Sequence, residues 1–379
     1  MIPYGRQDIN QSDIDAVVEV LQSDFLTQGP VLDLFELTVA NYCGVQYTVA
    51  VSSATAALHI ACLALGISEG DLVWTTPNTF VASANCARYC GADVDFVDID
   101  PFTLNMSADR LAEKLLEAQR DGRLPKAIIP VHFSGRSADM AAIGALRDKY
   151  GFHVIEDASH AIGGRYKNAA IGTCMHSDIT IFSFHPVKII TSGEGGMALT
   201  NDSTLAERMV LFRSHGVTRE TSLMREPMDG PWAYQMVDLG LNYRLTDIQA
   251  TLGLAQMRRL DLFVQRRNAL AARYDELLTK LPITLPTAIH DGVSSWHLYV
   301  IQTKNRRTVY DKLRASGIGV NVHYIPVHLQ PYYRDLGFNT GDFPVSETYY
   351  EHAITIPLFA TMTKADQDQV VASLTEALR

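Results

Sequence analysis

No apolar run in this chain approaches the roughly 18 residues that a membrane helix requires. Its opening segment, "MIPYGRQDIN", also lacks the charged-then-apolar layout of a secretory leader. A cytoplasmic protein with no membrane partner is therefore the expectation. Basic side chains are in deficit, with 32 Lys and Arg against 42 Asp and Glu. That balance disfavours nucleic acid as a partner, because phosphate backbones are held by cationic surface. An anionic small molecule is still compatible if donors gather in a pocket. Cysteine is sparse: Cys43, Cys62, Cys86, Cys90 and Cys174. An odd number without paired metal spacing argues against a disulfide framework. Cys86 and Cys90 fit one helix face, but two thiols make an incomplete zinc site, so buried free thiols are expected. In "HYIPVH", His323 and His328 match no metal motif, and the proline between them disfavours a helix. Internal repeats, low-complexity tracts and long flexible linkers are also missing.

The chain does have a 47% hydrophobic content over 379 residues, enough for two or three compact units. Short β-rich runs alternate with helical patterns through the first half. "YTVAVSS", "DLVWTT", "VDFVDI", "KAIIPVHF", "HVIED", "DITIFSF" and "GMALT" have the length and Val/Ile content of strands buried on both faces. Helix-length stretches such as 55–65 and 138–149 lie between several of them. The pattern predicts an α/β layered domain with a mainly parallel sheet, with functional groups beyond the strand C-terminal ends. "LTDIQATLGLAQMRRLDLFVQRRNALAARYDELLTKL" opens on Thr246 and Gln249 in capping-box spacing and reads as one long helix joining two domains. Beyond it come a strand ("SSWHLYVIQT"), a helix ending at Gly317 and a terminal helix ("KADQDQVVASLTEALR"). The N-terminal "SDIDAVVEVLQS" is a further amphipathic helix.

Four segments place reactive groups at strand ends. In "FSFHPVKIITSGEGG", Lys188 follows an apolar strand and precedes small residues that let a ligand approach the backbone. It is either a loop lysine beside a glycine turn or a buried amine made useful by desolvation. "HVIEDASHAIGG" puts Glu156 and Asp157 at another strand end, where an Asp caps a turn or holds a proton on a heterocyclic nitrogen. "VSSATAALHIACLALG" supplies free N–H groups and hydroxyls at a helix start, a phosphate cradle or ordinary capping by Ser53 or Thr55. It is not a Walker loop, since the Gly-Lys-Ser/Thr pattern is absent. Phe80 in "TTPNTFVASAN" could stack on a planar group or fill a core. A strand-end Asp with a separate lysine is what a pyridoxal phosphate site requires.

At these residues the chain resembles the sugar aminotransferases of the DegT/DnrJ/EryC1/StrS family, a branch of the fold-type-I pyridoxal phosphate enzymes. The resemblance runs end to end through "SSATAALH", "TTPNTFVASAN", "VHFSGRSADM", "EDASHAIGG", "FSFHPVKIITSGEGG", "LGLNYRLTDIQATLGLAQ", "HLYVI" and "NVHYIPVHLQPYY". "TSGEGG" stands where the family often has Thr-Thr-Gly-Glu-Gly-Gly, and Ser192 keeps a small hydroxyl there. The resemblance implies a large cofactor-binding domain over residues 26–250, and a smaller one from 1–25 and 251–379.

It further implies pyridoxal 5′-phosphate, passing through pyridoxamine phosphate, with Lys188 as covalent anchor and proton carrier and Asp157 on the pyridine nitrogen. Phe80 would stack on the ring and His160 lie near it. Ala54, Thr55 and Ser183 would bind the phosphate, with Asn242 reaching it from a second subunit of a homodimer. For the sugar nucleotide it points to Tyr4, Asp24, Phe25, Leu26, Thr27, Ser53, Ser183, Asn242, Arg244, His323, Tyr324, Ile325 and Pro326. Each has a plainer reading. Tyr4 could be a hydrophobic anchor, Phe25 and Leu26 packing residues, Asn242 to Arg244 a helix lead-in, and "HYIP" a strand exit limited by proline. "SDFLTQGP", "EDASHAIGG", "RSHGVTRE" and "VHYIPVHLQPYY" resemble the pseudaminic-acid branch most. The implied reaction is transfer of an amino group from L-glutamate to C4 of a UDP-linked 4-keto-6-deoxy-N-acetylhexosamine. Amination of a related 4-ketosugar with other stereochemistry, or a cofactor-binding sensor without catalysis, are the alternatives.

Overall fold

The structure, a computed structural model, describes residues 1–288 and 291–379. All seven apolar runs of the first half are strands of one sheet: β1 (Tyr47–Val51), β2 (Leu72–Thr75), β3 (Asp93–Phe96), β4 (Ala127–Ile129), β5 (His153–Asp157), β6 (Ile179–Ser183) and β7 (Gly196–Thr200). Their spatial order is β1-β7-β6-β5-β4-β2-β3. From β3 to β6 every pairing is parallel, whereas β7 runs antiparallel to both β6 and β1. Six strands therefore share one direction, and their C-terminal ends meet along one edge.

Helices cover the sheet because its strands are apolar on both faces. The N-terminal α1 (Gln11–Leu21) packs instead on a later helix; those on the sheet include α2 (Pro30–Cys43), α3 (Ala54–Ala64), α4 (Ala82–Tyr89), α5 (Ala108–Arg120), α6 (Met140–Tyr150) and α7 (Ser203–Arg213). Helix α3 is alanine-rich and buried nearly all round, so its backbone lies close against the strands. On the opposite face, Phe35 of α2 packs against Phe184 with ring centroids 5.1 Å apart.

The expected long connecting helix is in fact two, α8 (Asp247–Met257) and α9 (Leu260–Leu278). The Thr246–Gln249 capping box starts α8 as its spacing predicts. The break falls at Arg258 and Arg259, where no Pro or Gly marks it. Arg259 leaves helical geometry and its guanidinium reaches Asp13 Oδ2 at 2.5 Å and Asp8 at 3.3 Å. Those carboxylates belong to the N-terminal segment, and α1 packs on α8, so a contact remote in sequence sits at the interruption. Farther on, β8 (Tyr299–Gln302) and β9 (Ala353–Ile356) pair antiparallel. Helices α10 (Arg306–Ala315) and Lys364–Ala377 contribute to a separate apolar cluster around them. Among the described residues no helix is long and apolar enough to cross a membrane.

One glycine decides how tightly the site edge closes. Gly196 opens β7 opposite Val51 on one side and Ser183 on the other. A Cβ there would collide with Ala54 N and the Ser53 carbonyl carbon. Gly196→Ala is therefore expected to lower stability by about 1–3 kcal/mol, the range for overpacking a rigid interior, read from the urea-unfolding midpoint. An unchanged midpoint would show that β7 and the start of α3 can separate freely.

Candidate active site

A cavity of about 730 Å³ opens at the sheet edge where β1, β2, β5 and β6 end. It brings together Tyr4, Ser53, Ala54, Thr55, Phe80, Asp157, His160, Ser183, Lys188, His323 and Tyr324 from the positions singled out in the sequence. The parallel topology is the cause: each of these strands delivers its following loop to the same edge.

At the end of β5, adjacent carboxylates take opposite sides. Successive strand residues point to opposite faces, so Asp157 faces the cavity and Glu156 faces away. Asp157 is buried and held from both sides. Ser83 Oγ donates to Oδ2 at 2.6 Å, while Ser159 donates to Oδ1 through Oγ at 2.6 Å and its N–H at 3.1 Å. Glu156 accepts from Ser177 and from Thr180 Oγ1 at 3.3 Å, and pairs with His132 Nε2 at 2.7 Å. Burial works against its charge, yet the His132, Ser177 and Thr180 contacts hold its carboxyl below the usual range. Glu156 borders a different cavity of about 400 Å³, with Met140, Tyr166 and His176, which contains neither Lys188 nor Asp157.

Lys188 follows β6 on a turn closed by its own N–H donating to His185 O at 2.9 Å. Its residue surface keeps partial access through the cavity, but the amine is enclosed by protein. Burial lowers the ammonium pKa from the ordinary 10.5 to about 8, with Asp157 pulling the other way. Around it stand three buried imidazoles. His160 Nδ1 accepts from the Ser134 N–H at 3.3 Å, and its Nε2 lies 3.1 Å from the Tyr324 hydroxyl. His323 Nδ1 meets Thr355 Oγ1 at 2.8 Å. His297 lies ring to ring with His160 at 4.4 Å, and its Nδ1 has no partner among the described residues. Burial first, then Lys188, pushes all three pKa values down, to about 3 for His323. The surroundings thus favour neutral rings beside the amine.

The same cavity is also lined by a helix start and an aromatic side chain. Ser53 caps α3 by accepting from Ala56 N at 3.1 Å. The N–H groups of Ala54 and Thr55 begin the helix at the cavity wall beside Ser183, where the helix dipole favours an anion. Phe80 is 58% exposed although it lies on the cavity wall. A helix start with free N–H groups, an uncovered aromatic face, a fixed carboxylate and an amine suit a flat cationic ring carrying a phosphate.

Other candidate residues lie elsewhere within one chain. Thr27 bridges Thr246, the Asp247 N–H donates to Leu26 O at 3.0 Å, and Asn242 bridges Ser214. Phe25 and Arg244 border a separate cavity of about 400 Å³ with Arg213 and Asp33. Asp24 and Asn242 are exposed. Ile325 is exposed and Pro326 buried, and neither lines the Lys188 cavity. His328 turns away to Glu347, 2.9 Å from Oε1. Conversely, Ser159, His185, Glu194, His297 and Asn321 border the cavity without having been singled out, and Ser83 braces Asp157 from α4. Ser159 was detectable, two residues after Asp157. His297 sits just before a strand, where nothing local distinguishes it.

The profile of the DegT/DnrJ/EryC1/StrS aminotransferase family matches residues 7–375. Spore coat polysaccharide biosynthesis protein SpsC of Bacillus subtilis (strain 168) is 38% identical over 387 residues, covering 100% of this chain and 97% of that protein. Among solved structures, Helicobacter pylori PseC, an aminotransferase involved in the biosynthesis of pseudoaminic acid, has a TM-score of 0.90 at 31% identity. That match covers 100% of this chain and 99% of PseC. Putative sugar aminotransferase Spr1654 from Streptococcus pneumoniae, in its PMP form, has a TM-score of 0.90 at 29% identity, over 100% and 99% of the two chains.

The depressed Lys188 pKa has a signed consequence. Between pH 8 and 10.5 the cofactor-free folded chain binds fewer protons at this site than the unfolded chain. Its contribution to stability therefore rises with pH across that window, and the full penalty applies below it. Urea unfolding of wild type and Lys188→Met at the two ends of the window should show that extra rise in wild type alone. Parallel pH profiles would mean that the amine is not desolvated.

Proposed function

The chain belongs to the DegT/DnrJ/EryC1/StrS aminotransferase family, and from that premise we propose that it aminates C4 of a UDP-linked 4-keto-6-deoxy-N-acetylhexosamine. L-Glutamate is the donor in this reading, and the product is UDP-4-amino-4,6-dideoxy-N-acetyl-β-L-altrosamine, a precursor of pseudaminic acid. As a member, the chain is a fold-type-I, pyridoxal phosphate-dependent sugar aminotransferase. The observation that carries the reading is the single cavity in which an amine of lowered pKa and a doubly braced carboxylate face each other's ligand space. The finer assignment is supported by the full-length likeness to PseC and by the segments shared with the pseudaminic-acid branch.

Pyridoxal phosphate, when bound, supplies an aldehyde that carries the amino group and a protonated pyridine that accepts electron density. Its phosphate would lie on the Ala54 and Thr55 N–H groups and the Ser183 hydroxyl. Phe80 would cover one face of the ring, and His160 would pack close by. Asp157 would keep the proton on the pyridine nitrogen, since an anion there favours the cation. The hydroxyls of Ser83 and Ser159 hold the carboxylate in place for that role. Lys188 Nζ would anchor the cofactor when substrate is absent and would take the α proton of glutamate. In the second half of the cycle it delivers a proton to C4 of the sugar. An amine near pKa 8 can hold or release that proton at neutral pH, which an ordinary lysine does poorly. The neutral imidazoles leave Lys188 without a competing cation beside it.

Tyr4, Ser53, Ser183, His323 and Tyr324 would contact the sugar nucleotide from one subunit. Asp24 to Thr27, Asn242 and Arg244, gathered elsewhere in the chain, would serve the site of the second subunit of a homodimer, with Ile325 and Pro326 at its margin. Phe25 and Leu26 of this cluster are large and exposed, which supports a covered surface there. The same reading divides the chain into a large domain, 26–250, and a smaller one made of 1–25 and 251–379.

Incubation with L-glutamate and the UDP-4-ketosugar should yield 2-oxoglutarate and one C4 amine, whose configuration product NMR reports. The opposite configuration at C4, or no reaction with any UDP-4-ketosugar, would overturn the assignment. Sharing of sites is checked separately. Lys188→Ala and Asn242→Ala/Arg244→Ala proteins should each be nearly inactive. Random remixing of equal amounts should restore up to about a quarter of wild-type activity, because half the dimers are mixed and each holds one intact site. No recovery from dimers shown to have exchanged subunits would refute the shared site.

A further inference from the structure

A chain of hydrogen bonds runs from the turn after β4 to the Lys188 cavity. Ser134 in that turn lies in the left-handed region, with φ of 62°. Its carbonyl accepts from the His297 N–H at 2.9 Å, and its hydroxyl donates to Leu298 O at 3.3 Å. The carbonyl of Gly135 accepts from the Ser295 N–H at 3.2 Å, and Ser295 Oγ donates to His160 O at 2.8 Å. The segment leading into β8 thus fixes the Ser134 peptide, whose N–H points at His160 Nδ1, 3.3 Å away.

A backbone N–H can only donate, so Nδ1 accepts and carries no proton. That excludes the imidazolium and leaves one neutral tautomer, with the proton on Nε2. Burial favours the same neutral form. Nε2 lies 3.1 Å from the Tyr324 hydroxyl, so it donates there and occupies an acceptor position of the phenol oxygen. Tyr324 is left with its own proton to give, and among the described residues no second hydrogen bond takes it. Phe80 and Phe133, each 6.3 Å away, and His323 at 4.8 Å hold the ring. Tyr324 lines the cavity with Lys188 and Asp157. Burial, and then the Asp157 charge, raise the phenol pKa above its ordinary value, so the hydroxyl stays protonated.

We propose that Tyr324 donates a hydrogen bond to the C4 carbonyl oxygen of the ketosugar, and that His160 is the positioning residue whose tautomer sets this direction. The inference rests on the sugar aminotransferase reading and adds the oxygen chemistry that the site selects. A ketone oxygen only accepts, and it gains negative charge as an amine closes on its carbon. A fixed O–H therefore stabilises the transition state more than the free ketone. The corresponding alcohol develops no such charge. Tyr324 keeps its proton throughout, and His160 acts only through it.

In cofactor-loaded enzyme without substrate, nitrogen NMR of isotope-labelled histidine should show His160 neutral and protonated on Nε2, with His160→Asn as the assignment control. In single-turnover absorbance, Tyr324→Phe should slow the ketosugar half-reaction about a hundredfold, the cost of one such donor. That loss should exceed the loss in the glutamate half-reaction by roughly tenfold or more. The His160→Asn amide is too short to reach Tyr324 and should reproduce most of the effect. The His160→Gln amide nitrogen can stand where Nε2 stood and should recover most of the rate. A proton on Nδ1, equal slowing of both half-reactions, or Asn and Gln behaving alike would overturn the proposal. So would a Tyr324→Phe shift in the pH titration of the bound cofactor's visible absorption, which would make the cofactor's own oxygen the acceptor. Failure of wild type with every UDP-4-ketosugar is a separate result: it would overturn the parent reading, and this proposal with it.

Discussion

The ladder between β7 and its two neighbours is the constraint on which the site depends. Gly196 pairs with Val51 and with Ser183, so the residues that follow β1 and β6 are brought to one point of the sheet edge. The first leads into α3 and its unpaired N–H groups; the second leads into Lys188. Because β7 runs against the others, its start lies at this same edge, and a residue without Cβ lets it press against the first turn of α3. The start of α3 and Lys188, about 130 residues apart in sequence, become neighbours through a few backbone hydrogen bonds.

Burial then turns position into reactivity. Lys188 lies where water is scarce and three imidazoles share its surroundings, and the outcome is a general lowering of proton affinity, from the lysine to His323. Asp157 lies on the same side but is fixed by hydroxyl donors. The desolvated amine can exchange protons near neutrality while the carboxylate keeps a set direction. These two properties are what a cofactor with a cationic ring and a transferable amino group requires from its host.

Most of the remaining substrate candidates, Ile325 and Pro326 apart, lie in a second cluster, where residues 25–29 meet 242–247 through the Thr27–Thr246 bridge and through Asp247, which accepts from the Gly29 N–H at 2.8 Å. In a homodimer with shared sites such a division is natural, since each subunit furnishes the chemistry for one site and part of the walls of the other. Helix α3 is tied to this region through Tyr243, which lies between Asn242 and Arg244 and bonds His59.

By itself, the sequence determined the sheet's seven strands, the Thr246 cap, and the pairing of Lys188 with a strand-end Asp, because apolar period, capping spacing and strand-end chemistry are local properties. Glu156 and Asp157 are neighbours of one chemical type, and only the register of β5 within the sheet decided which faces the cavity. The break between α8 and α9 carries no local signal; it accompanies Arg259 meeting Asp13, 246 residues away. His297 reads as an ordinary residue before a strand until folding sets it against His160. Tertiary structure decided these features because long-range packing and desolvation set which face a side chain occupies and how tightly it holds its proton.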